Sequence, residues 1–428
     1  DVVERDRSFI SESGDPESPR PRVSVSGDSV SPRLRVSASG PMPWLQVLLI
    51  SCGPLIAFGS MVNFAPILPI VREELGISNS WAGILASATL LSHTILQLPG
   101  GQLTDRIGGK KALPMAVTLA GVGLIASGLA PSFALLLLAR FLLGAGTGLT
   151  FIAGIAFIHS LVPPDKRVLG QGIFGGAGNL GVLLVLLFSE RLANAVTWRG
   201  AFLVEGAVAL TVAMLLWTCL KSGEAHSQTV QTSWGETLRQ SPLYLLGMAH
   251  IFTYGIYVAV SSWAATFLYQ TRGVGLEWAG PLAAILSASA VAGRGIGGAI
   301  SVNRERPVIV VTCFVSALFT ALFPLMPGPV LPLVALLILG FFAAVPFGAV
   351  FSYMTRISDK GTSGRGLSVI NFVGNLGAFA FPPIVGYALD VTGSFAVGFG
   401  LLAVLGLAGA LLVAARLPRV SRSSVQPR

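Results

Sequence analysis

From about residue 43 to residue 417 the chain is a succession of apolar runs divided by short polar segments. A transmembrane helix needs about 20 predominantly apolar residues. Runs of about that length or more lie at 43–71, 80–104, 112–130, 132–160, 168–190, 198–220, 241–271, 277–301, 308–326, 329–357, 364–389 and 393–416. The pattern predicts an all-α polytopic membrane protein with twelve transmembrane helices. The longest polar interruption, KSGEAHSQTVQTSWGETLRQS (221–241), follows the sixth run. The expected organisation is thus a six-helix bundle at 43–220, a central loop at 221–240 and a second six-helix bundle at 241–417. Two such halves are the mark of parallel repeats related by an axis along the membrane normal.

The repeat is visible in the residues. The tetrapeptide GNLG occurs in GIFGGAGNLGVLL (172–184) and in VINFVGNLGAFAF (369–381), placing Asn179 and Asn375 196 residues apart, in the fifth and eleventh spans. PPDKRVLGQGIFGGAGNLG aligns with SDKGTSGRGLSVINFVGNLG, and QLPGGQLTDR (97–106) with RGIGGAISVN (294–303). In the second alignment Gln97 and Arg294 are equivalent, each four residues before a matched glycine, and Val302 stands where Asp105 would fall.

Composition removes the soluble classes. Hydrophobic residues make up 53% of the chain and charged residues 11%, against roughly a quarter charged in soluble domains. With both termini placed in the cytoplasm, the cytoplasmic segments hold 22 of the Lys and Arg residues, and the opposite loops only Arg72, Arg191, Arg199 and Arg272. That asymmetry is the positive-inside pattern, so the net charge of +9 reports membrane topology and not a nucleic-acid partner. Residues 1–42 are rich in Ser, Pro, Arg and acidic residues; such a segment cannot bury a core and reads as a disordered cytosolic tail, with a short second tail at 418–428. Cys52, Cys219 and Cys313 all fall inside spans, without disulfide or metal-ligand spacing.

GGQLTDRIGGKK (100–111), between the second and third spans, resembles the signature loop of the major facilitator superfamily. The twelve spans, the long central loop and ARFLLGAGTG (139–148) in the fourth span resemble the same superfamily. The resemblance implies the major facilitator fold, two pseudo-symmetric six-helix bundles, and secondary transport by alternating access. It also implies that Gly101, Asp105, Arg106, Gly108 and Lys110 brace the gate. The other reading makes the basic residues topology determinants only.

Ionisable groups within a bilayer are functional candidates by default. Here they are His93, Arg140, Glu205, His250 and Arg294. At about 1.5 Å per residue, His93, Gln97, Asn179 and Asn375 fall near mid-span, with His250 and Arg294 somewhat toward the cytoplasm. One polar tier of this kind suits a midplane substrate site. Arg294 offers a fixed charge and a planar fork suited to oxyanions; bonding to carbonyls or water as structural glue is the alternative. Arg140 reads equally as a substrate ligand and as a structural partner of Glu205. His93, His250 and Glu205 are the candidate proton carriers, since imidazole titrates near neutrality. Packing roles are the competing reading for both histidines. Tyr254 and Tyr257 either line the path or pack the core.

GNLG further resembles the Gly-Asn-x-Gly signature of the nitrate/nitrite porter branch in its fifth and eleventh helices. That branch grips its anion with one arginine on helix 2 and another on helix 8. RGIGG (294–298) matches the second, but Gln97 replaces the first, which leaves two hydrogen-bonding arms and one fewer positive charge. The drug–proton antiporters carry Gly-Pro where this chain has Gly178-Asn179. The expected function is secondary active transport of a small polar solute, an anion of the nitrate/nitrite or small-carboxylate kind, through a site of Arg294, Asn179, Asn375, Gln97, Arg140, Tyr254 and Tyr257. Protons or a counter-substrate are the open coupling partners. Proton-coupled efflux of amphipathic compounds and a non-transporting sensor are the other readings. No nucleophile–base set, metal cluster or GxxxxGK[ST] loop is present, so no enzyme, cofactor or ATP-driven pump is expected, and a monomer in the lipid bilayer suffices.

Overall fold

The computed structural model describes residues 42–163, 167–221, 234–301, 303–357 and 363–418, and these are helical throughout apart from short turns. Twelve crossings follow in order: α1 (Trp44–Leu75), α2 (Asn79–Ile107), α3 (Gly109–Leu129), α4 (Phe133–Leu161), α5 and α6 (together Arg167–Cys219, divided at Thr197), α7 (Ser241–Arg272), α8 (Leu276–Ala283 and Ile285–Ile300), α9 (Glu305–Leu322), α10 (Val330–Ala344 and Pro346–Ile357), α11 (Ser363–Thr392) and α12 (Phe395–Arg416). Among the described residues ten stretches are long and apolar enough to cross a membrane, one of them covering both α5 and α6. α2 carries His93, Gln97 and the buried hydroxyls of Ser87, Thr89, Ser92, Thr94 and Thr104, polar groups that suit a helix enclosed by other helices.

Two expected loops shrink to single residues. α5 continues through Arg191 to Val196, and the chain turns at Thr197 (φ 71°), whose hydroxyl accepts from the Gly200 amide at 3.2 Å as an N-cap for α6. Arg191 and Arg199 are therefore helical, not loop residues. The signature segment has no loop beyond Gly108, which takes φ 77°, a conformation that glycine adopts without Cβ strain. Gly101, Asp105 and Arg106 lie on the last turns of α2, and Lys110 on the first turn of α3. The Asp105 side chain, Val302, the tails at 1–41 and 419–428, and the segments 164–166, 222–233 and 358–362 lie outside the described residues.

Three crossings are broken where the site forms. α1 stops being α-helical after Val62, passes through a 3₁₀ turn (Ala65–Ile67) and resumes at Leu68, with Pro66 and Pro69 removing amide donors. α7 contains a π-turn at Ile251–Gly255, a distortion frequent at functional positions. α10 breaks at Val345, just before Pro346.

The ends of the bundle differ. At the end carrying Asn79, α2 and α11 are in tight contact: a Cβ at Gly83 would lie 2.7 Å from Pro383 Cα. Asp390 of α11 accepts from the Asn79 and Ser80 amides at 2.9 and 2.6 Å, and from their side chains at 2.8 and 2.5 Å. It thereby satisfies orphan donors at the start of α2, where the helix dipole favours an anion. α5 and α8 also close at this end, a Cβ at Gly280 falling 2.6 Å from the Leu186 carbonyl. Toward the Gly108 end the same pair parts, and no described atom stands within 4 Å of a Cβ at Gly172, Gly176 or Gly295.

Asp390→Ala should cost the closed end about 1 kcal/mol, the worth of one helix cap, and shift its open/closed ratio about fivefold. Pulsed-EPR distances between labels on exposed residues of the two halves at the Asn79 end should gain a longer component. An unchanged distribution would show that the clasp does not hold that end shut.

Candidate functional site

A central cavity runs between the halves in two lobes that share Phe58, Tyr254 and Arg294. The lobe toward Asn79 encloses about 550 Å³ of atom-free space, its mouth included, and adds Asn179, Tyr257, Ser261 and Ser262 to the wall. The lobe toward Gly108 holds about 380 Å³ on the same measure and adds His93, Gln97, His250, Phe347, Asn371 and Asn375. Eight of the ten residues expected to bind substrate or carry protons thus meet around one space.

The repeat accounts for how the wall is built. Phe58 of α1 and Tyr254 of α7 are 196 residues apart, the same offset as the two asparagines. The first glycine of each GNLG seats a ring from the neighbouring helix. There is no room for a Cβ at Gly178 beside Phe58, nor at Gly374 beside His250. The glycines bring α5 onto α1 and α11 onto α7, and the asparagine that follows each of them is carried into the cavity wall.

The polar groups fall into satisfied and unsatisfied sets. His93 Nδ1 lies 2.9 Å from Thr147 Oγ1, and its Nε2 lies 2.9 Å from Gln97 Nε2. Thr147 donates its own proton to the Gly144 carbonyl at 2.9 Å, and Asn371 Nδ2 donates to Gln97 Oε1 at 3.1 Å. One assignment satisfies every link: Asn371 donates to Gln97, Gln97 to His93 Nε2, and His93 Nδ1–H to Thr147. This relay ties α11 to α2 and α4.

Arg294 has no hydrogen-bonding or ionic partner among the described residues; its Cζ stands 4.5 Å over the Phe347 ring. Asn179 and Asn375 are 5% and 3% exposed, and the Nδ2 of each is buried without an acceptor. No carboxylate lines either lobe among the described residues. A buried polar group left unanswered is costly, so these three donors call for an acceptor that the protein does not supply. His250 stacks on Tyr254 at 5.1 Å and Tyr254 on Tyr257 at 6.4 Å, and the Tyr257 hydroxyl pairs with Ser287 at 3.0 Å.

Arg140 and Glu205 are elsewhere. Arg140 is fully buried, and its guanidinium caps the broken end of α1. Nη2 donates to the Ser60 and Met61 carbonyls at 3.0 and 3.2 Å, and Nη1 to Asn63 Oδ1 at 2.9 Å. These carbonyls lose their helical partners where α1 stops. Asn63 Nδ2 in turn donates to Glu205, which also accepts from Ser189 at 3.1 Å. Glu205 borders a separate apolar groove between α1, α5 and α6. The expected direct pair is thus mediated by Asn63, and neither residue reaches the cavity.

Sequence reasoning missed Phe58, Phe347, Asn371 and Asn63. Phe58 was recoverable from the 196-residue register, and Asn371 from its place one turn before Asn375. Asn63 gave no signal without the break in α1.

The Major Facilitator Superfamily model matches residues 50–382. The chain belongs to the major facilitator superfamily. It is accordingly a multi-pass membrane transporter and not an enzyme. Among curated proteins it is 27% identical to a "Probable sulfoacetate transporter" of Cupriavidus necator, covering 83% of this chain and 89% of that one. It is 28% identical to a "Probable nitrate/nitrite transporter" of Mycobacterium tuberculosis, covering 81% and 91%, and 24% identical to a "Hexuronate transporter" of Bacillus subtilis, covering 81% and 87%. Among solved structures, an inward-facing, occupied bacterial homolog of the human lysosomal transporter Spinster superposes with a TM-score of 0.75 at 17% identity, covering 88% of this chain and 96% of that one. That likeness concerns the fold.

Arg140→Ala should lower stability by about 3–5 kcal/mol, the cost of breaking a buried charge network. Arg294→Ala, which has no bond to lose, should leave the melting temperature close to wild type. Thermal unfolding of the two purified variants checks both; equal losses would make Arg294 a structural group.

Proposed function

We propose that this major facilitator protein is a secondary active transporter of a small anion. Alternating access would present the central cavity first to one side of the membrane and then to the other. The observation that carries the reading is the donor set: one guanidinium and two buried amides, unanswered, in a cavity with no described carboxylate. An acceptor-rich ligand of one negative charge matches it. Arg294 supplies the charge, Asn179 and Asn375 supply one amide from each repeat, and Gln97, Tyr254 and Tyr257 shape the wall. The names of the relatives, which specify sulfoacetate, nitrate and nitrite, support an anion without choosing among them.

The Lys and Arg distribution supports both termini in the cytoplasm. On that topology the parted α5/α8 seam faces the cytoplasm, and the Asp390 clasp closes the outer side. Gly101, Asp105, Arg106, Gly108 and Lys110 sit at the cytoplasmic turn, where the superfamily resemblance assigns them the gate. Efflux of amphipathic cations is disfavoured because Glu205, the carboxylate it would use, borders a different groove. A sensor would bind the anion without flux.

The test is uptake into proteoliposomes together with thermal shifts for nitrate, nitrite, formate, sulfoacetate and lipophilic cations at fixed ionic strength. A ligand at about 100 times its Kd stabilises by roughly 2.7 kcal/mol. Arg294→Ala should abolish the anion shift and the flux. Asn179→Leu and Asn375→Leu should each weaken binding about 10- to 100-fold, as for a lost hydrogen bond to a charge at about 1.5–3 kcal/mol. A shift with lipophilic cations alone would reject the anion reading.

A further inference from the structure

Among the described residues the cavity holds a cation and no counter-charge, which raises the question of what accompanies an anion through it. The side chains lining it whose ordinary titration lies nearest neutrality are His93 and His250. Their surroundings differ. Both nitrogens of His93 are engaged, Nδ1 by Thr147 and Nε2 by the amide of Gln97, which is itself held by Asn371. A proton on Nε2 would face the Gln97 amide donor, and both the Gln97 and Asn371 amides would have to turn over to keep the relay that joins α2 to α11. The His250 imidazole has no hydrogen-bond partner among the described residues and lines the same lobe as Arg294.

The two groups share a support. The imidazole of His250 lies 6.3 Å from the Phe347 ring centroid, and Arg294 Cζ lies 4.5 Å from the same centroid. The groups around His250 are few. Tyr254 stacks on it from its own helix, Arg294 stands across Phe347, and His93 is on the far wall of the lobe. α11 contributes Gly374 and Asn375, and α9 contributes Cys313, whose thiol is bonded to the Ala249 carbonyl. Arg294 is therefore the one fixed charge facing His250 among the described residues. Empty, the guanidinium opposes a second positive charge beside it; with an anion bound, that opposition is removed.

We infer, resting on the anion reading, that His250 is the proton site of the transporter and takes up one proton with each anion bound at Arg294. The imidazole lone pair accepts the proton from the solvent on the loading side and returns it on the release side, so that a monovalent anion and a proton cross together without net charge. Coupling is reciprocal: the anion favours the proton and acid favours the anion. Affinity therefore rises as pH falls, by at most about tenfold per pH unit for one linked proton. It levels off once the empty protein is itself protonated.

The experiment is calorimetric titration of nitrate, formate and sulfoacetate into the purified full chain between pH 5.5 and 8, in pairs of buffers with different ionisation enthalpies. The buffer difference counts protons taken up. Uptake approaching one proton per anion, kept in His93→Gln and lost in His250→Gln, is the expected result. Anion binding without uptake, or uptake that survives His250→Gln, overturns the proton site and leaves the anion reading standing. No binding of any anion at any pH overturns both. If His250→Gln binds nothing, His93→Gln decides: uptake kept there supports His250, and uptake lost there overturns it.

Discussion

The fold turns on how a guanidinium is held away from water. The group offers five N–H donors, accepts nothing and stays charged. The chain puts two of them, Arg140 and Arg294, in its interior and treats them in opposite ways. Arg140 meets the free carbonyls of Ser60 and Met61, then Asn63, and through Asn63 the carboxylate of Glu205. The break in α1 and the arginine in α4 answer one another: unpaired carbonyls in an apolar bundle need donors, and an unpaired guanidinium needs acceptors. Arg294 meets the face of Phe347 and no acceptor. The first arrangement holds four helices of one half together; the second has no acceptor among the described residues, which is what the proposed binding role requires.

The same contrast runs through the duplicated halves. Gln97 and Arg294 are repeat equivalents, and so are Asn371 and Gly175. In one pair glutamine and asparagine close a hydrogen bond between α2 and α11. In the other, arginine faces a glycine, whose absent Cβ would stand 3.6 Å from Nη1. One arm has become a protein–protein contact, and the other keeps both its charge and the space before it. Duplication supplied two similar arms, and substitution at two positions made them differ in kind.

Much of this was legible in the sequence, because the bilayer imposes length and apolar content on every crossing. The twelve runs, the division into halves and the GNLG register came directly from that constraint, and depth counting placed His93, Gln97, His250 and Arg294 in one tier. The misses have physical causes. Depth says how far along a helix a residue lies and not which way it faces, so Arg140 and Glu205 were grouped by level, although one caps a helix break and the other borders an outer groove. Loop length was overestimated at 191–197 and 105–111 because charged residues read as loops, whereas Arg191 continues a helix and Gly108 turns the chain alone. Asn371 was hidden by its apolar neighbours in VINFV.

The relay at Gln97 also bears on the route a bound anion would take. α2 and α11 are joined on both sides of the cavity, by Asp390 at one end and by Gln97 with Asn371 toward the other. α5 and α8 pack closely toward the Asn79 end, where Gly280 lies against Leu186, and further along only the Arg294 side chain approaches Gly175 among the glycines facing that seam. On the proposed reading, release between α5 and α8 would break no hydrogen bond seen here. Release between α2 and α11 would break the Asn371–Gln97 bond and leave two amide groups without that partner, at a cost of about 1–3 kcal/mol for each group so exposed if no water replaces them. The parted seam is therefore the lower path, and it passes directly beside Arg294 and Gly175.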